Sequence, residues 1–285
     1  PEIYRAWVSR MWLSIWNEAF MQRALLATAL SGVACSAIGV LVVTMRLSFI
    51  GVCISHAAFA GALVGLHLGI SPLSSAIVGS LLAAGALSPL ADKGNLSPDT
   101  AIGVVFSASI ALAFLLLALL PGPKSEALGW LWGNVLTVTT SNLWVLVIVV
   151  VSLVLLVVLF FKEIQAVVFH RELAAASGPP ATAVFYGVLV CSGAAITVSL
   201  GAIGGLLVFS MVINPAATAY QFTYSLRVLF LLSAAFAVLA GWIGLALSVV
   251  FNLPSGAMIV LVSAAALLIA VILSPKRRSG RAREV

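Results

Sequence analysis

The sequence predicts an all-α, polytopic membrane protein, and three observations carry that prediction. Of 285 residues, 63% are hydrophobic and only 8% charged, against roughly 25% charged in a soluble domain. The chain lacks the charge to meet water on every side. Nine apolar stretches each approach the roughly 20 residues that a spanning helix needs. In one of them small residues recur at every fourth position, a pattern that lets helices pack closely in lipid.

Residues 1–20 mix Trp7, Trp12 and Trp16 with Arg5, Arg10 and Glu18, which predicts an amphipathic helix lying at the interface. Because the chain starts at Pro1 rather than Met, it is expected to lack its native start, and no signal-peptide pattern is expected here. Residues 21–274 form a single transmembrane domain with spans at 22–45, 49–69, 72–91, 100–120, 142–161, 181–200, 203–220, 228–250 and 255–274. The seventh span is short, and the proline of Asn214-Pro215 removes a helix hydrogen bond. A broken or partial helix is expected there, and a count of eight crossings is the alternative. Ser71-Pro72 and Ser97-Pro98-Asp99 each place a hydroxyl before a proline at a helix start, and Asp99 favours the positive end of the helix dipole.

Nine crossings put the two ends on opposite faces. With the basic tail 275–285 inside and the N-terminus outside, ten of the fourteen Lys and Arg residues are cytoplasmic, as the positive-inside rule requires. The tail then lies against anionic lipid. The net charge of +6 is thus a membrane signature, and no nucleic-acid partner is expected. The three cysteines, Cys35, Cys53 and Cys191, all sit in apolar runs, which argues against a disulfide framework.

The second span carries both chemistry and packing. Ala57, Gly61, Gly65 and Gly69 are spaced by four and share one helix face, with the three glycines expected to let another helix approach. His56 lies in the same helix. A titratable group is costly in hydrocarbon and by default marks a functional path. A carbonyl-bonded structural histidine is the alternative. Cys53, three residues earlier, faces nearly the same way; a thiolate–imidazole pair suits zinc or another soft ion, and a small buried apolar residue is the alternative. His67, near the outer end, reads as an entry ligand or an interfacial histidine.

Two connections exceed simple turns. Residues 121–141 become apolar again at 128–138, predicting a short re-entrant or surface helix at the extracellular mouth, where Glu126 would attract cations or remain solvated. Residues 162–180 contain good helix formers ending at Gly178-Pro179, a helix stop, and read as a docking site or a plain connector. No phosphate loop, HExxH helix or G-x-S-x-G elbow occurs in the sequence. Ser55 and His56 are adjacent and diverge on a helix. The chain is therefore read as neither an ATPase nor an enzyme.

Several stretches together resemble one family. They are FMQRALLA at 20–27, LSFIGVCISHAAFAG at 47–61, LSPDTAIGVVFS at 96–107, LGWLWGNVL at 128–136, FHRELAAASG at 169–178, GAIGGLLVFSMVINPAATA at 201–219 and LSVVFNLPSGAMIVL at 247–261. In that order they resemble the membrane-spanning subunit of bacterial ABC importers for zinc, manganese or iron. The resemblance implies a homodimer with a path along its axis, a cytoplasmic ATP-binding cassette ATPase holding the ATP, and an extracellular metal-binding protein. It implies a place in a bacterial or archaeal cytoplasmic membrane. The metal would be cargo, with no cofactor stably bound. Residues 169–178 would be the coupling helix, with His170 and Arg171 in the docking loop and Glu172, Ala175 and Gly178 on matching positions. Residues 128–136 would be the extracellular gate helix, with Leu131 and Trp132 at the gate. Gly201 to Gly205 followed by Asn214 and Pro215 would form a hinge.

One departure stands out. The family's second helix commonly carries an aspartate four residues before the histidine, where this chain has Val52. Valine ligates nothing, so the alternative cargo is a chelated metal or another small solute. An ATPase-independent carrier or an intramembrane enzyme is the reading from a different class; a carrier usually needs ionisable residues in its spans, and these spans hold almost none.

Overall fold

A computed structural model describes residues 16–45, 49–121, 124–132, 135–169, 181–274 and 276. The described residues form helices α1 Ala19–Thr44, α2 Ile50–Leu68, α3 Pro72–Gly94, α4 Pro98–Leu119, α5 Ser125–Trp132, α6 Thr140–Leu159, α7 Phe161–Phe169, α8 Ala181–Ile203, α9 Gly205–Tyr220, α10 Leu226–Phe251 and α11 Ser255–Leu273, with a 3-10 turn at Val135–Thr137. Each of the nine expected spans is a helix. Among the described residues seven helices are long and apolar enough to cross a membrane, and α9 and Val190–Ile203 of α8 are shorter apolar stretches. The fold is an all-α polytopic membrane fold.

Helices α1, α2, α8 and α9 build the centre. Cys35 and Ile38 of α1, Cys53 and Ile54 of α2, Ile196 and Ile203 of α8, and Met211 and Val212 of α9 are all buried in one cluster. Helices α4 and α11 lie outside, and their large apolar side chains are exposed: Phe114, Leu115, Leu268 and Ile272 among them. Such a surface suits hydrocarbon, which needs no polar coat.

Leu41 of α1, Val157 of α6 and Ile164 of α7 share one cluster. Phe59 and Leu63 of α2, Ala113 of α4 and Ala127 of α5 share another.

Glycines govern the α2–α3 contact. A Cβ on Gly61 would collide with the Ser75 carbonyl. One on Gly65 would lie 2.7 Å from Ser75 Oγ, and one on Gly79 would lie 2.7 Å from the Ala57 carbonyl oxygen. The small-residue stripe is thus used within the chain, between consecutive helices. Gly69 departs from the expectation. It has φ +67 and nothing within 4 Å of where a side chain would be. It is the left-handed C-cap of α2, a conformation that costs other residues more, and packs against nothing among the described residues.

The interruption expected at Asn214-Pro215 lies elsewhere. Helix α9 runs unbroken through Pro215, and the chain turns instead at Gly204, with φ +88. Side-chain hydrogen bonds flank the proline on both sides. The Thr218 hydroxyl donates to the Asn214 carbonyl at 2.7 Å, and Asn214 Nδ2 donates to Ser210 Oγ and Ser263 Oγ at 3.0 Å each.

Helix starts differ in detail. Ser97 caps α4 as expected, accepting from the Thr100 amide at 3.2 Å. Ser71 makes no side-chain cap to α3; its carbonyl instead accepts the Ser74 and Ser75 hydroxyls. The apolar return in 121–141 is a helix at Ser125–Trp132, with the 3-10 turn after it. Helix α7 covers the start of 162–180. The interfacial segment up to residue 15, the docking residues His170, Arg171, Glu172, Ala175 and Gly178, and the tail from 277 lie outside the described residues.

Candidate functional site

His56 stands six residues into α2, roughly 9 Å from its N-terminal end. It lines an open-sided cavity of about 250 Å³ shared with Val52, Ser55 and Phe59 of α2, Leu200 of α8, and Gly205, Leu206 and Phe209 of α9. The kink at Gly204 separates α8 from α9 and brings both to the cavity wall.

The imidazole is oriented from two sides. Its Nδ1 lies 3.0 Å from the Val52 carbonyl oxygen. A carbonyl only accepts, so Nδ1 is the donor, and Nε2 is the ring nitrogen that this bond leaves for another partner. A backbone carbonyl on the second nitrogen is the usual support of a metal-binding histidine. Phe106 of α4 meets the ring edge-to-face, with centroids 5.1 Å apart. The rest of the wall is almost entirely apolar. Ser55 is buried and donates to the Gly51 carbonyl at 2.8 Å.

The other proposed ligands are not gathered here. Cys53 is fully buried in the central core and is absent from the cavity wall. Three residues from His56, it turns about 60° away on the helix, enough to face α2's packed side. Val52, one turn before His56, does line the cavity. His67 is exposed, with its Nδ1 3.0 Å from the Leu63 carbonyl oxygen. Eleven residues from His56, it stands roughly 16 Å along the helix, too far to share an ion. Among the described residues no group of three or more His, Cys, Asp or Glu side chains converges. A site here offers one imidazole nitrogen per chain.

Leu131 and Trp132 close α5, and their backbone is helical. Their neighbour Trp130 seats its indole 3.3 Å from where a Cβ on Gly201 would lie. That contact joins α5 to the end of α8 just before the Gly204 kink. Trp130 and Gly201 also border a second cavity of about 220 Å³ with Leu73, Asn142 and Val198. Asn214 does not face the His56 cavity. It joins Ser210 and Ser263, whose hydroxyls are 2.7 Å apart, in a polar staple between α9 and α11.

Sequence reasoning missed Phe106, Leu206 and Phe209. Apolar residues in apolar spans carry no local signal, and only the fold brings them to His56.

Known proteins bear the same pattern. The ABC 3 transport family profile matches residues 17–274. The manganese transport system membrane protein MntC of Halalkalibacterium halodurans is 31% identical over 94% of this chain and 94% of its own length. The manganese import system permease protein ScaB of Streptococcus gordonii is 31% identical over 91% of this chain and 93% of its own. Among solved structures, PsaBC from Streptococcus pneumoniae, in complex with Fab, superposes with a TM-score of 0.86 at 29% identity, over 96% of this chain and 99% of that one. An inward-facing metal-chelate type ABC transporter has the same fold, with a TM-score of 0.70 at 16% identity over 88% of this chain and 85% of that one.

Proposed function

Because this chain belongs to the ABC 3 transport family, we propose that it is the membrane-spanning subunit of an ATP-driven importer of a divalent transition metal, manganese, zinc or iron. The observation that carries the reading is the His56 cavity: one oriented imidazole in an otherwise apolar open-sided hollow between α2 and the α8–α9 kink. A transit site must bind weakly enough to release, and one nitrogen per chain meets that need.

Two copies of the chain face each other across the path, so that a second imidazole opposes the first. The manganese relatives and the PsaBC likeness support this class of cargo. A cytoplasmic ATP-binding cassette ATPase docks at 169–178 through His170, Arg171, Glu172, Ala175 and Gly178. An extracellular metal-binding protein delivers the ion at the α5 gate of Leu131 and Trp132. The molecule sits in the cytoplasmic membrane of a bacterium or archaeon. The flexible joint is at Gly204, ahead of Asn214 and Pro215.

A second reading changes only the cargo. The apolar wall of Val52, Phe59, Leu200, Leu206 and Phe209 favours a chelated metal whose own ligands shield its charge.

The test is reconstitution in liposomes with and without the ATPase subunit. Zinc or manganese should accumulate only when chain, ATPase and ATP are all present. Accumulation against a gradient by the chain alone would contradict the reading.

A further inference from the structure

If the segment after α7 docks the ATPase, its movement must reach the His56 cavity, and the coupling route inferred for it rests on that reading of the chain as a transporter. Chain connectivity gives only a long route, because α9, which lines the cavity, joins α7 through the whole of α8. The packing gives a shorter one. Phe161, the first residue of α7, packs against an apolar cluster that Val40 of α1, Ala216 and Ala219 of α9, and Leu226 and Leu229 of α10 form together. Its ring meets Phe230 of α10 with centroids 6.4 Å apart and planes at 64°. The Arg227 guanidinium lies 5.3 Å from its centroid.

Arg227 is oddly placed for its own helix. It stands in the first turn of α10, after the N-cap Ser225, where the helix dipole disfavours a cation. The Phe161 ring face offers that cation a favourable partner. An exposed contact of this kind biases an equilibrium only about two- to fivefold, weak enough to be remade in each cycle. The apolar cluster behind that contact includes α9. Ala216 and Ala219 stand on the same helix as Leu206 and Phe209 of the cavity wall, roughly 10–20 Å along one rod. The same end of the rod is tied further: Lys276 Nζ lies 3.9 Å from the Tyr220 ring centroid and 4.0 Å from that of Tyr224. The α9–α10 turn is thereby fastened to the end of α11.

We propose that Phe161, gripped by Arg227 and Phe230, is the positioning contact through which α7 moves α9 and α10 as one body and so changes access to the His56 cavity. Rigid-body motion about such a joint is an established way to amplify a small displacement. Phe161 touches no cargo; it acts through α9.

The experiment compares variants in the full complex with its ATPase, reconstituted in liposomes, with zinc and manganese uptake and ATP hydrolysis measured on the same preparations. Phe161→Ala should keep ATP turnover within about twofold while metal moved per ATP falls at least about fivefold. Phe161→Tyr should restore the ratio. Arg227→Ala, an exposed position that leaves folding intact, should lower the ratio about two- to fivefold, and Arg227→Lys should recover it. If uptake and hydrolysis fall in parallel in Arg227→Ala, or if its ratio is unchanged, the joint is merely structural and the inference fails. If the unaltered complex hydrolyses ATP but moves neither metal, the transport reading falls and the inference with it.

Discussion

Phe106 meets the imidazole of His56 edge-to-face, with ring planes at 85°. Helix α4 is otherwise largely exposed, so this contact is how an outer helix reaches the cavity. With the Val52 carbonyl on Nδ1, it fixes both the tilt and the tautomer of the ring.

Phe106→Leu should therefore leave the protein folded but release the ring. Edge-to-face pairs contribute about 0.5–1.5 kcal/mol beyond burial, so the KM for metal uptake should rise about two- to tenfold with maximal rate little changed. Phe106→Tyr should behave as the unaltered protein. Uptake kinetics at several metal concentrations check this.

Val52 stands one turn before His56 on the cavity wall. A carboxylate there would add a hard oxygen donor beside the nitrogen, the combination that suits manganese better than imidazole alone. Val52→Asp should raise the ratio of manganese to zinc uptake. Competition between the two ions in the same vesicles measures it, and an unmoved ratio would show that Val52 does not face the cargo.

The glycines of α2 divide into two kinds. Gly61→Ala forces a Cβ into the Ser75 carbonyl, and overpacking of this sort costs about 1–3 kcal/mol. Gly69→Ala meets no neighbour, yet must hold a left-handed backbone, at about 1–2 kcal/mol, and Gly69→Asn should recover most of that. Thermal unfolding in detergent distinguishes them: asparagine rescues position 69 and fails at 61.

Asn214 bonds both Ser210 and Ser263. Asn214→Ala removes two hydrogen bonds but leaves the two serines bonded to each other. Interhelical bonds in membranes average about 0.6 kcal/mol, with maxima near 1.7, so the loss should be about 1 kcal/mol. Thermal unfolding measures it, and His56-dependent metal binding should be unaffected.

Much of this was legible in the residues. Apolar length placed nine helices, and the spacing of Gly61 and Gly65 announced a close contact, because both signals are local. Gly69 misled because the fourth-position pattern continues into a residue that is also a helix stop, and only its φ separates the two roles. Pro215 misled because proline alone argues for a break, while the packing that holds α9 straight includes a tie from Asn214 to Ser263, 49 residues away. Cys53 and His56 were nearly equivalent in sequence, and burial separated them: one faces the core, the other the cavity. The aromatic partners of His56 and of Phe161 lie on distant helices, and no spacing rule reaches that far.

His56 is where the chemistry of transport is assigned, so its removal is the most direct measurement. In vesicles holding the assembled complex with its ATPase, His56→Ala should abolish ATP-dependent uptake of both zinc and manganese while the ATPase remains bound. Uptake of both bare ions at the unaltered rate would contradict the assignment.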